Sequence, residues 1–483
     1  MKLTTLTLAI TLGIIGIAGG AQAASSPKNL QITVYNDNFA LVKDTRVVNL
    51  TQGVNSLNIE DVAARIDPTS VLFKSITSPN SVSILEQNYQ YDLISPENIL
   101  NKSVGQRVVF TSFNSDGTLR TQEGVLLNPP ANGGIVIKTD DGNLVLNPAG
   151  QVTLKQMPEG LHPKPTLNWL LRSDRAGEQN AEISYITEGI GWKVDYVVLV
   201  NKDDSMLDLA GWVTLNNQSG TTYNDAKLTL MAGNVRRVRE EMNGRMYKSD
   251  MVTMAMEAPA PQFEEKSFFE YHMYTMERPT SIRDNETKQL SLLTASGAPV
   301  EKELIYDARG DWFRNWWYPG RSDYDPGNGY DTSNYHKVNV ILRVKNSKEN
   351  HMGMPLPKGK IRVYKLDDNG GQQFIGEDTI DHTPKDEKIK LYLGDAFDVV
   401  GDYKRTDYKK VAKNVVEESF EVKIRNHKDV PVQVKVVDHV WSDWSVTKSS
   451  IGYNKKDAST IEFPVNVPKD GETTVTYTIR TTW

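Results

Sequence analysis

There is no cysteine in the 483 residues. That absence removes disulfides, thiolate metal sites, cysteine nucleophiles and a lipid-modified N-terminal cysteine together. A basic excess is missing too: 55 Lys and Arg stand against 61 Asp and Glu, a formal net charge of −6, with both signs mixed along the chain. Nucleic-acid binding requires a basic face, so no nucleic-acid partner is predicted. Long apolar runs are equally scarce. The longest, Leu6 to Ala18, is about 13 residues, whereas a membrane-crossing helix takes about 20, and no transmembrane span is predicted. The chain also lacks a G-x-S-x-G elbow, an H-E-x-x-H zinc motif and a Walker A loop. Gly353-Met354-Pro355-Leu356-Pro357-Lys358-Gly359-Lys360 is the nearest approach to a phosphate loop. One residue is extra, Ile361 stands where Ser or Thr belongs, and two prolines remove donors that would cradle phosphate. It reads as a turn before a strand at Ile361–Tyr364. No cofactor is predicted.

What is present begins with a leader. Met1-Lys2 gives a positive start, the apolar run follows, and Ala21-Gln22-Ala23 supplies the small-x-small pattern of a signal-peptide cleavage site. The expectation is a periplasmic or exported protein, cleaved near Ala23-Ala24. With 39% hydrophobic and 24% charged residues the chain has enough apolar content for real cores.

Strand signals dominate. Leu30–Tyr35, Val104–Phe110, Tyr196–Val200, Val338–Val344 and Thr473–Ile479 are rich in Val, Ile, Thr and Tyr, and several alternate with period two. Short helices are expected only near Asp61–Ile66 and Pro165–Leu171. The predicted fold class is all-β, with several β-sandwich (immunoglobulin-like) units in series. Five brief strand candidates between Val104 and Leu154, with turns at Ser115-Asp116-Gly117 and Asp140-Asp141-Gly142-Asn143, add a small SH3- or Sm-like barrel. The organisation expected is a signal peptide at 1–23, an N-terminal sandwich part at 24–100 and the barrel at 101–157. The first half of a larger β region follows at 158–233, then a mobile Met/Ala/Pro-rich loop at 234–266. The second half spans 267–410, with an aromatic loop at 306–337, and a C-terminal immunoglobulin-like sandwich fills 411–483.

An ordered set of segments carries a resemblance. Leu167-Asn168-Trp169, Ala181 through Tyr196, Gly211 through Gly220, Ala226 through Gly233, Tyr271 through Tyr274, Pro355 through Gly359 and Gly394 through Asp398 together resemble DUF4139, a family of secreted bacterial proteins of unknown function. Val34 through Val42 with Ile66 through Ser70 looks like the segment found ahead of that domain. The chain is distantly similar to the mucoidy-inhibitor group, without its coiled coil. The resemblance implies a secreted, β-rich protein and supplies no catalytic residues.

The candidate chemistry is thin. The seven histidines, His162, His272, His336, His351, His382, His427 and His439, are scattered, with no pair at i,i+2 or i,i+4. Asp438-His439 lies in strand context, where neighbours face opposite ways. Met246, Met251, Met254 and Met256 could offer thioethers to Cu(I), but low-complexity linker composition accounts for them more simply. Asp323, Asp325 and Asp331 only loosely suggest calcium, since Gly327 occupies a ligand position. No metal site is therefore predicted. The aromatic segment is richer. Trp312, Arg314, Trp316, Trp317 and Tyr318, beside Arg309 and Arg321, are the residue types of recognition hot spots, and they could equally fill a seam between sheets.

The functional expectation is a non-catalytic envelope binding or scaffolding protein whose partner is an envelope protein or glycan. The alternative is an envelope hydrolase acting on peptide or glycan, with Asp195, Asp225 or Asp395 drawn from distant segments into one cleft.

Overall fold

The structure is a computed structural model that describes residues 22–23, 27–113, 116–129, 133–148, 150–237, 262–307, 309 and 336–483. It is nearly all β, as predicted. The chain forms two compact units, interleaved in sequence: residues 1–191, 216–231 and 278–288 belong to the first, and 192–215, 232–277 and 289–483 to the second.

In the first unit one sheet runs Tyr223–Ala232, Asn29–Tyr35, Phe39–Leu50, Gly177–Glu188, Leu72–Ser75, and another runs Gly53–Glu60, Thr166–Ser173, Val82–Gln90. Alternation explains the layering: Ile32, Val34, Val42, Leu57, Ile59, Trp169, Leu171 and Ile183 are all buried while their neighbours along each strand are not. Phe73 of one sheet meets Trp169 of the other edge-on at 5.2 Å, so the two sheets face each other. Thr166–Ser173 corrects the helix expected at Pro165–Leu171. From Leu167 onward its buried residues fall on every second position, and burial on one sheet face overrides the local composition. Asp61–Ile66 is likewise turn rather than helix.

A helix does form at Pro96–Lys102, where Ser95 caps the N-terminus by accepting from the Asn98 N–H and Pro96 takes the first helical position. It leads into the five-strand segment expected as a barrel. The strands are there, in the order Leu144–Leu146, Val136–Thr139, Leu119–Asn128, Arg107–Phe113, Val152–Leu154. The two end strands do not pair with each other, so the sheet stays open and no barrel closes. A core of Val108, Phe110, Leu126 and Ile137, lined by Leu100 from the helix, fills its concave side. Gly124 allows the close approach: a Cβ there would lie 2.6 Å from Ile137 and from the Lys138 carbonyl.

In the second unit the sheet path is Gln372–Ile380, Gly359–Leu366, Ile190–Val200, Met206–Asn217, Glu286–Tyr306, Lys337–Lys345, Lys388–Ala412, Val415–Asn426, Gly471–Thr482, Asp443–Ser449. Lys388–Ala412 pairs first with Lys337–Lys345 and then, past a register shift, with Val415–Asn426. Val432–His439 pairs in parallel with Leu304–Tyr306 and antiparallel with Thr460–Val467. Phe420, Phe463 and Tyr477 meet at 4.5 to 5.3 Å inside a large core that also holds Tyr306, Val434, Ile461 and Val475. The hairpin Phe263–Phe268 with Tyr271–Met276 belongs to this unit, and its first strand begins inside the stretch read as a mobile loop. Among the described residues no helix is long and apolar enough to cross a membrane.

Candidate functional site

Two ends of the aromatic-rich segment, residues 306, 307 and 309 and residues 336–337, lie among the described residues, and a cluster of buried polar groups grips the first of them. Arg309 is 5% exposed and Asp438 fully buried. The guanidinium donates to Asp438 Oδ1 from Nε at 2.6 Å and from Nη2 at 2.5 Å. Nη2 also donates to the His439 carbonyl oxygen at 2.5 Å. Its Cζ stands 5.1 Å from the Phe420 ring centre and 5.5 Å from that of Tyr403, so the cation is flanked by π faces. The other oxygen of Asp438 accepts from the Tyr477 hydroxyl at 2.5 Å, while Oδ1 also accepts from the His439 N–H at 2.9 Å. Burial pushes the Tyr403 and Tyr477 phenols well above their ordinary range, which keeps them protonated donors.

The strand geometry explains the arrangement. Asp438 and His439 are consecutive on Val432–His439 and point to opposite faces. Asp438 points inward to Arg309, and His439 places Nε2 3.1 Å from both oxygens of Asp307. Two neighbouring side chains therefore hold two residues of one short segment. An ion pair this deep is a poor source of net stability, because desolvating both charges offsets their attraction. What it does well is fix one conformation. Chemically, Asp438 is saturated with donors and is no general base.

The trailing end is tied separately. His336 Nδ1 lies 2.6 Å from Asp402 and 3.1 Å from the Gly401 carbonyl oxygen, and Arg425 also pairs with Asp402. Lys337 reaches Asp395 at 3.0 Å. Gly401 has a packing reason: a Cβ there would run into the ring of Tyr306. The five recognition candidates, Trp312, Arg314, Trp316, Trp317 and Tyr318, lie outside the described residues. So do Arg321, Asp323, Asp325, Asp331 and the methionines Met246, Met251, Met254 and Met256.

The three carboxylates offered for a hydrolase occupy separate places. Asp195 sits 3.5 Å from Arg362 and 3.3 Å from the Thr214 hydroxyl. Asp225, at φ +47, donates its backbone N–H to the Ser281 hydroxyl oxygen. Asp395 is held by Lys337, Asn339 and the Tyr392 hydroxyl; burial raises its pKa, and these three partners together carry it below the usual value. The carboxylates of Asp195 and Asp395 are each engaged with their own neighbours rather than with each other.

The phosphate-loop look-alike is a braced turn. Two buried phenols donate to its proline carbonyls, Tyr196 to Pro357 O and Tyr274 to Pro355 O, both at 2.8 Å. Leu356 exchanges backbone bonds with Thr383, and the Lys358 N–H reaches His382 Nδ1 at 3.2 Å. Burial lowers the His382 pKa. A Cβ on Gly359 would strike the Val194 carbonyl, so the next strand, Gly359–Leu366, starts at a residue that only glycine suits. Among the described residues no three His, Cys, Asp or Glu side chains converge on a metal position.

The clamp was not anticipated. Its one signal is an aspartate in step with Val434 and Val436 on the inward face of a strand, a position that requires a buried partner.

Comparison with known proteins agrees with the fold. A search of curated proteins finds no match. The family model described as "Domain of unknown function (DUF4139)" matches residues 181–483, beginning somewhat later than Leu167-Asn168-Trp169, the first segment of the sequence resemblance, and including every residue of the clamp. The chain belongs to the DUF4139 family.

Proposed function

We propose that the protein is a non-catalytic binding or scaffolding component of the cell envelope, exported by its leader, with an envelope protein or glycan as partner. The observation that carries this reading is the Arg309–Asp438 clamp. The chain commits a buried ion pair, two phenols and a histidine–carboxylate contact to fixing the first residues of the segment that bears Trp312, Arg314, Trp316, Trp317 and Tyr318. Such pairs serve conformational specificity better than stability. Fixing the point from which a segment departs lowers the ordering cost of recognition by its Trp, Tyr and Arg.

The test is retention of envelope components by the chain from Ala24 onward, compared with a variant carrying Trp312→Ala, Trp316→Ala and Trp317→Ala. A protein or glycan held by the first and lost by the second, at equal melting temperature, supports the reading. Equal retention removes the segment from the interaction. A large fall in melting temperature places these tryptophans in a core.

A further inference from the structure

The hairpin of Phe263–Phe268 and Tyr271–Met276 pairs Phe263 with Met276 at its base and Phe268 with Tyr271 at its tip. One face packs down through Phe263, Tyr274 and Met276, all buried. The other carries Glu264, Lys266 and Phe268, all exposed. Two residues, Phe269 and Glu270, make the turn. Phe269 has φ +56, in the left-handed region that two-residue hairpin turns ordinarily give to Gly, Asn or Asp. A bulky residue there is strained.

Packing does not explain the choice, because Phe269 is 81% exposed and Phe268 beside it is 55% exposed. The knob is nevertheless braced. The Phe269 ring stands 6.1 Å from that of Tyr271, and Tyr271 lies over Gly233, where a Cβ would collide with its ring. Behind them Glu265 and His272 are joined at 2.7 Å. A strained backbone that displays apolar rings to solvent on a supported hairpin is an outlier that points to function.

We propose that this knob docks into a second protein, whose surface offers an apolar socket for Phe268 and Phe269 with a cationic side chain at the lip to meet Glu270. The convex shape requires a concave counterpart. The charge selects among counterparts: a lipid surface would have to admit the Glu270 carboxylate together with the rings, whereas a socket with a cationic lip uses it. Two aromatic side chains moved from water into a socket are of hot-spot size. This inference shares with the preceding section only that the chain acts by binding. Its test uses other residues, so either can fail alone.

The experiment places p-benzoylphenylalanine at position 269 of the full chain in producing cells, with the same probe at exposed Leu72 as control. The expected result is one discrete protein adduct from position 269 and none from 72. That protein, purified, should bind the wild-type chain and lose about tenfold or more in affinity to Phe269→Gly and to Glu270→Lys. Phe269→Gly relieves the turn, so its melting temperature should hold or rise, which separates lost docking from lost folding. Four results would overturn the proposal: no adduct from 269, an adduct that is a second copy of the chain, unchanged affinity in both variants, or co-sedimentation with phosphatidylethanolamine–phosphatidylglycerol vesicles that Phe269→Gly abolishes.

Discussion

Replacing Asp438 by Asn removes one charge from the clamp and almost no volume. Arg309, 5% exposed, would then be a buried cation facing a neutral amide. Breaking a buried pair on one side typically costs about 3–5 kcal/mol, because the surviving charge keeps its desolvation penalty and loses its compensation. With the amide oxygen kept on Arg309, the Tyr477 hydroxyl, 2.5 Å from the carboxylate, can accept from the amide NH2 in place of donating, so the new amide donor finds a partner. Asp438→Leu orphans that hydroxyl as well and should cost about 1–3 kcal/mol more. The complementary variant, Arg309→Met with Asp438→Leu and Tyr477→Phe, removes the three closest mutual polar partners and should recover most of the loss. Urea unfolding read by tryptophan fluorescence measures this, with midpoints compared at unchanged slope. Trp444 lies in the same core and gives the signal. Amide exchange along Val432–His439 localises it. The reasoning fails if Asp438→Asn costs less than about 1 kcal/mol, or if the triple variant is no more stable than the single one.

Two further outcomes follow from packing and from titration. Gly401→Ala should destabilise by about 1–3 kcal/mol through its collision with Tyr306, whereas Gly452→Ala, with open space around it, should be neutral; equal midpoints for the two would refute the packing argument. Burial pushes the phenols of Tyr185, Tyr196, Tyr403 and Tyr477 well above their ordinary value, and that of Tyr89 up to about 12. Unfolded tyrosines release protons near pH 10 while these hold theirs, so the unfolded state binds fewer protons there. Stability is intact below about pH 10 and falls as pH rises beyond it, by about 1.4 kcal/mol per pH unit for each tyrosine so held. Ultraviolet difference titration should show a group of phenols that ionise only as the fold is lost. Reversible ionisation of all 20 tyrosines near pH 10 with the fold intact would contradict it.

Much of the fold was legible because strands that bury one face write that face into every second residue. Leu30–Tyr35, Val338–Val344 and Thr473–Ile479 each lie within an observed strand. Where the pattern misled, one residue broke the alternation: Leu170 stands between Trp169 and Leu171 in a segment that is a strand. The helix Pro96–Lys102 was missed although Ser95, Pro96 and Glu97 spell its N-terminus; seven residues are too few for an apolar period to show. Barrel closure could not be read, since spacing gives strand number and not whether the end strands meet. The clamp was hidden by distance. Arg309 and Asp438 are 129 positions apart, and the strand pairing that joins them, Leu304–Tyr306 with Val434–Val436, is parallel and non-local. Only the inward aspartate hinted at it.

The 25-residue strand Lys388–Ala412 carries a consequence for how this region can be inherited or engineered. Its first half is hydrogen-bonded to Lys337–Lys345 and its second half to Val415–Asn426, so one uninterrupted backbone serves two neighbourhoods. A cut anywhere along it would leave one set of strands with a bare edge, the condition that invites mispairing between molecules. Glu286–Tyr306 pairs with both Lys337–Lys345 and Val432–His439, so the stretch from Glu286 to Trp483 should move as a single block: recombination, truncation or fusion within it will be punished by aggregation.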